Sequence, residues 1–268
     1  MSPLPISVCM ISGAEAHRIR RALESVRGWT TEIVIVLNED VADGTDCLAA
    51  EFGAKVFREP WKGFVGQRKS AIEKTTQPWL LGLDADEAVS DRLRAEIMRL
   101  FAREPEPARY AAYSFPRCTF YCGRWIRHGD WYPDRKVRLW RRGRAQVVGG
   151  ELHETMQVDG AVGRLRGDLL HYSMEDLNHQ VAKTVTYSDY FVRQWQQRNR
   201  PVSFTELLVR PWWRFCRAYF LRLGFLDGWQ GYTIAGMGAF HTLLRYAKVR
   251  EMQKSSPDSD APPGHRSR

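Results

Sequence analysis

The chain has 268 residues, 44% of them apolar, which is ample for a buried core and fits one large domain or one domain with an appendage. Its formal charge of +9 calls for an anionic partner, and nucleic acid, an acidic membrane surface and a phosphorylated small molecule meet that demand equally. Five cysteines, with Cys118 and Cys122 the one close pair and no second Cys/His pair at zinc-site spacing, argue for reduced thiols in a cytosolic protein.

Met1 to Pro5 lacks a charged segment, so no secretory leader is expected. Ile6 to Ile11 reads as a buried strand, and Glu15 to Val26 as a helix with Ile19, Leu23 and Val26 at helical spacing. A second strand, Glu32 to Leu37, is followed by the turn Asp43-Gly44-Thr45 and a helix from Asp46 to Phe52. Ala54 to Phe57 is a short third strand, Gly66 to Lys74 a helix, and Trp79 to Leu83 a fourth strand. Such alternation predicts an α/β fold: a mostly parallel sheet covered on both faces, whose ligands bind outside the carboxyl ends of the strands.

A helix from Asp91 to Phe101 and a polar linker, Arg103 to Ala108, lead into Tyr110 to Trp140, which is dense in aromatics and arginines. Val147 to Met156 and Asp168 to Tyr172 have strand character. From Met174 onward the pattern is helical, with breaks expected at Pro201 and Pro211. Three parts are therefore expected: 1–173 as the α/β region, 174–254 as a helical region, and 255–268 as a disordered tail rich in Ser, Pro and charge. The most apolar late stretch, Gly224 to Leu244, is interrupted by Asp227, Gln230, His241 and several glycines, so it is expected to lie against a surface rather than to cross a bilayer.

Asp84-Ala85-Asp86-Glu87 stands at the end of the fourth strand, and three carboxylates in four residues repel one another unless a positive charge sits among them. A helix N-terminus decorated with acids, capped by Ser90 or Asp91, is the plain structural reading. The functional reading is a divalent cation held by one or two carboxylates and completed by water and a diphosphate, the manner of Mg2+ or Mn2+.

The order Ile6 to Glu15, Glu32 to Val36 with Asp43-Gly44-Thr45, Gln67-Arg68-Lys69 and Asp84-Ala85-Asp86-Glu87 resembles the nucleotide-sugar half of family 2 glycosyltransferases. Gly123 to Asp134, Arg138 to Arg142, Leu152-His153-Glu154 and Leu226 to Gly231 resemble, within that family, the lipopolysaccharide core β-1,4-glucosyltransferases of Gram-negative bacteria.

The resemblance implies a GT-A-type fold with a C-terminal helical extension, and an inverting, metal-dependent transfer of a hexose, by default glucose, from a UDP-sugar. The acceptor would be a lipid-linked saccharide of the lipopolysaccharide inner core. A polyprenyl phosphate or a polypeptide remains the alternative acceptor. Asp84 would face the ribose or base, Asp86 would bind the metal, and Glu15, Asn38, Gln67 and Lys69 would contact the nucleotide. The family usually carries aspartate where Asn38 stands, and Asn38 accepts a hydrogen bond from uracil only through its amide oxygen. An inverting enzyme needs a general base opposite the leaving diphosphate; the resemblance points to Glu154, with Asp130 as rival. His171 is either a further metal ligand or a buried histidine.

Between Phe204 and Arg250, arginines alternate with Trp212, Trp213, Phe215, Tyr219, Phe220, Phe225, Trp229 and Tyr232. That composition suits a helical subdomain or a peripheral contact with an anionic membrane, which the resemblance would make the cytoplasmic face of the inner membrane. It would also suit a nucleic-acid binder, but Asp84-Ala85-Asp86-Glu87 would repel a polyphosphate strand, so no nucleic-acid partner is expected.

Overall fold

The computed structural model describes residues 2–103, 109–149, 154–174, 176–196 and 200–254. The expected tail 255–268, the pair Leu152-His153 and all of the expected linker beyond Arg103 lie outside the described residues. The chain divides into two units, the first of residues 1–119 and 133–173, the second of 120–132 and the residues from Met174 on. Phe120 to Tyr132, read from sequence as part of the first region, thus clusters with the C-terminal helices.

In the first unit β1 (Leu4–Ser12), α1 (Ile19–Val26), β2 (Thr30–Asn38), α2 (Thr45–Glu51), β3 (Lys55–Glu59), α3 (Gly63–Glu73) and β4 (Trp79–Gly82) follow the predicted alternation. Then come β5 (Glu87–Val89), α4 (Asp91–Phe101), β6 (Ala112–Tyr121, its end in the second unit) and, past β7 (Arg124–Trp125) of that unit, β8 (Asp134–Arg141). β9 (Ala145–Gly149), β10 (Glu154–Val158), β11 (Val162–Arg164) and β12 (Leu169–His171) complete it.

The sheet runs β3-β2-β1-β4-β8-β6-β12-β5. Its first four strands are parallel; β8 enters antiparallel to both β4 and β6, so the sheet is mixed. β9 and β10 form a separate antiparallel pair.

Strand alternation decides the two faces. Ile6, Val8 and Met10 of β1 pack with Ile19, Leu23, Leu93 and Ile97 of α1 and α4. Cys9 points the other way, into a cluster with Val36, Leu80 and Trp140 that Ala71 of α3 covers. Ser90 caps α4, its hydroxyl accepting from Leu93 N, as predicted for one of the two candidate caps.

The second unit holds β7 (Arg124–Trp125), which folds back on the end of β6 through Cys122 and Gly123, both at positive φ. Its helices are α5 (Leu177–Gln196), α6 (Phe204–Cys216) and α7 (Gly228–Lys254), with α7 packed on α5 and α6. Ser203 and Glu206 form a capping box at the start of α6. Pro211 lies inside α6 rather than ending it: the one hydrogen bond a proline forfeits is outweighed where a helix packs along a neighbour, as α6 does on α7. No helix among the described residues is long and apolar enough to cross a membrane.

Candidate active site

The parallel strands β1, β2 and β4 bring their carboxyl ends to one edge of the first unit, where loops of irregular backbone begin. The loop after β1 is held by Asp43-Gly44-Thr45. Glu15 N donates to Thr45 Oγ1 at 3.0 Å and Ala16 N to Asp43 Oδ2 at 2.9 Å. Asp43 Oδ1 in turn accepts from Thr45 N and Thr45 Oγ1, and Gly44 makes the turn at φ +87°. The Thr45 hydroxyl and the Ala16 amide hold the Asp43 carboxyl below its usual range. Glu15 itself is clasped by Arg18.

The positive charge among the acids is arginine. Arg138, on β8, donates from Nη2 to Asp84 Oδ2 at 2.6 Å and to Glu87 Oε1 at 2.9 Å. Arg68, on α3, donates from Nη2 to Asp84 Oδ1 at 2.7 Å and from Nε to Glu154 Oε1 at 2.6 Å. A continuous chain Glu154–Arg68–Asp84–Arg138–Glu87 results, with three carboxylates on two guanidiniums. Burial alone would push the Asp84 carboxyl up, but the charges of Arg138 and Arg68 outweigh it and hold Asp84 well below the usual carboxylate range. Both arginines, buried as they are, are held firmly protonated by Asp84 and its neighbours. Glu154 Oε2 has no hydrogen-bond partner among the described residues.

Asp86 is held differently. Its carbonyl accepts from Tyr172 N at 2.8 Å, and its Oδ2 lies 3.5 Å from His171 Nε2 and 3.9 Å from Arg18 Nη1. The register of β12 places His171 opposite Glu87 on one side and Thr119 on the other. Burial raises the Asp86 carboxyl, and the hydrogen bond and charge of His171 more than offset it, so Asp86 sits below its usual range.

The described residues contain no group of three or more His, Cys, Asp or Glu side chains that could enclose a metal. Asp86 and His171 nevertheless fit a divalent ion of the kind that takes one or two protein ligands and fills its other positions with water and phosphate oxygens.

Gln67 is fully buried and donates from Nε2 to Asn38 Oδ1 at 3.2 Å, so the amide oxygen that sequence reasoning reserved for a base is engaged by Gln67. Lys69, one residue past Arg68, is exposed and pairs with none of the acids among the described residues. Asp130 belongs to the second unit, where Arg214, Arg217 and Arg222 surround it. Between α3 and the strands beside it a small recess of about 20 Å³ is floored by Cys9, Trp140 and Met156, with Arg68 and Arg138 in its wall. Sequence reasoning missed Arg68, Arg138 and Arg18 as members of the site. The signal available was the demand of Asp84 and Glu87 for a counter-charge in a chain with 40 lysines and arginines.

A Rossmann-like α/β unit with acids at the carboxyl ends of its parallel strands is the GT-A architecture of a nucleotide-sugar-dependent glycosyltransferase. Residues 7–159 match the family described as glycosyl transferase family 2, and the chain belongs to that family. It is 32% identical over 260 residues to an uncharacterised glycosyltransferase of Rickettsia typhi, covering 94% of this chain and 88% of that protein. It is 30% identical over 266 residues to the lipopolysaccharide core biosynthesis glycosyltransferase LpsC of Rhizobium meliloti, covering 96% and 97%. Among solved structures, a Pyrobaculum calidifontis mannosyltransferase in complex with GDP-Man and Mn2+ shares the fold. The TM-score is 0.53 at 12% identity, over 93% of this chain and 89% of that one.

Proposed function

We propose that the protein is an inverting hexosyltransferase that moves glucose from a UDP-sugar to a lipid-linked saccharide of the lipopolysaccharide inner core. The observation that carries this reading is Arg68, which ties Glu154 to Asp84 and so joins the candidate base to the acid at the end of β4 in one charged chain. The likeness to LpsC over nearly the whole of both chains supports the acceptor.

In this reading Asn38 and Asp84 face the nucleoside, with the buried Gln67 holding the Asn38 amide in place and Glu15 and Lys69 at the rim. Asp86, with His171, would hold Mg2+ or Mn2+, which when bound offsets charge on the diphosphate. Glu154 takes the proton of the acceptor hydroxyl as its oxygen attacks the anomeric carbon. The bond from that carbon to the phosphate oxygen breaks on the opposite face, and UDP leaves with the electron pair. Among the described residues no donor sits on Glu154 Oε2, which supports its assignment as base.

The exposed Trp212, Trp213 and Trp229, set among arginines, support a peripheral seat on the cytoplasmic face of the inner membrane. A panel of nucleotide sugars tested for metal-dependent hydrolysis and binding decides the donor. Binding of no UDP-sugar, with or without metal, would overturn the reading.

A further inference from the structure

We infer that the arginines gathered on Asp130 form a site for the phosphate monoester of a membrane lipid. The cluster lies wholly within the second unit. Asp130 is nearly buried, and its carboxylate lies 2.7 Å from Arg214 Nε, 3.2 Å from Arg217 Nη1 and 3.3 Å from Arg222 Nη1. Among the described residues three guanidinium charges thus meet one carboxylate, which leaves two positive charges in excess. The arginines themselves are open to solvent, with 34–46% of each side chain exposed. A phosphate monoester carries about −1.5 to −2 charges near neutral pH and three acceptor oxygens, so it matches that excess; a phosphodiester carries only about one.

The backbone is bent to make this cluster. In an α-helix, residues five apart point about 140° away from each other. Arg217 and Arg222 instead span a π-helical turn, Arg217–Leu221, closed by the bond from Arg222 N to Arg217 O at 2.9 Å, and both reach the same oxygen of Asp130. Leu223 follows at φ +58°, a left-handed conformation that a leucine adopts only at a cost, and Gly129 N fixes Arg222 by bonding to its carbonyl.

Burial, and after it the charges of Arg245 and Arg214, hold His241 below its usual range, a second sign of positive potential around α6 and α7. Phe220 and Leu221, on the turn itself, are 55% and 65% exposed. Apolar side chains presented beside a phosphate site suit a phosphate carried by a lipid better than one free in solution.

That this lipid is the saccharide acceptor rests on the function proposed above; that it is a lipid phosphate does not. Sedimentation of the full chain with phosphatidylcholine vesicles carrying phosphatidic acid, against vesicles of equal surface charge carrying phosphatidylglycerol, tests the site. Binding to phosphatidic acid should be the stronger, and the double variant Arg217→Gln, Arg222→Gln should lose it by about tenfold or more. The charge-retaining pair Arg217→Lys, Arg222→Lys guards against misfolding and should keep binding to anionic vesicles.

Equal affinity for the two charge-matched vesicles would overturn the proposal, as would an undiminished preference in the glutamine variant. Soluble glycerol phosphate should compete at least tenfold less well than the vesicles bind; equal strength would assign the cluster to a soluble phosphate and overturn the lipid. UDP-sugar binding, measured on the same proteins, reports on the transferase reading alone. Its absence from parent and variants would overturn the acceptor role, while the vesicles decide the site.

Discussion

Arg68 Nε lies 2.6 Å from Glu154 Oε1, across 86 residues of sequence, and the same guanidinium holds Asp84. The proposed base is therefore fixed in place by a residue that also holds the acid at the end of β4.

Glu154→Gln keeps the side chain's size and a hydrogen-bonding carbonyl but removes the proton acceptor. The transfer rate should fall by about 10² to 10⁴, the usual contribution of general base catalysis. UDP-sugar affinity with metal present should change by less than about threefold, or roughly 0.6 kcal/mol. Parallel assays of Asp130→Asn test the rival: because Asp130 also gathers Arg214, Arg217 and Arg222, its loss of turnover with UDP and metal kept names it the base only if binding to phosphatidic acid vesicles is kept as well.

Arg68→Gln should lower the turnover number more than it weakens donor binding, because Glu154 loses its tether while Asp84 keeps Arg138. Steady-state kinetics with a saturable donor read the two effects apart. A change confined to KM would show that Arg68 serves donor binding alone.

Asp86→Asn should abolish transfer and the metal-dependent part of nucleotide affinity while the thermal unfolding profile stays that of the parent. Calorimetric titration of UDP with and without Mn2+ makes the measurement. Full activity in the presence of EDTA would contradict the role of Asp86.

Away from the site, Glu32 gives a pH signature. Its buried carboxylate accepts from Ser7, Lys55 and Thr76, and these bonds overcome the upward push of burial, lowering its pKa from an ordinary 4.5 to about 2. A carboxylate with a lowered folded-state pKa stabilises fully above its unfolded value and loses that stabilisation as pH falls. Between pH 4.5 and 2 about 3 kcal/mol should disappear. Melting curves of the parent and Glu32→Gln should therefore differ most near neutral pH and converge towards pH 2. A constant gap across that range would rule the linkage out.

The cysteines should label in order of access. Cys47 is exposed, whereas Cys118 is buried and Cys9 is buried with its thiol pushed up to about 12 by desolvation. A maleimide should modify Cys47 in the native protein and reach Cys9 only in denaturant, with peptide mapping as the readout.

Local patterns carried much of the first unit. The β-branched run of β2, the helical spacing of Ile19, Leu23 and Val26, and Ser90 ahead of α4 each express a preference of a few neighbouring residues, and such preferences survive in the folded chain. The place of Asp84 and Asp86 just past a strand was legible for the same reason, since it is a matter of chain order.

What answers their repulsion was not legible. Arg138 lies 54 residues beyond Asp84 and reaches it only because β8 inserts antiparallel beside β4, a pairing that no local periodicity encodes. The same holds for Asp130, whose three arginines stand 84 to 92 residues later in the sequence. Two of them share a face only through a π-helical turn. Sequence determined which segments form strands and helices and which acids stand at their ends. Tertiary structure alone decided which positive charges those acids meet, because an ion pair depends on distance in space, and distance in space follows from strand order and helix register rather than from position along the chain.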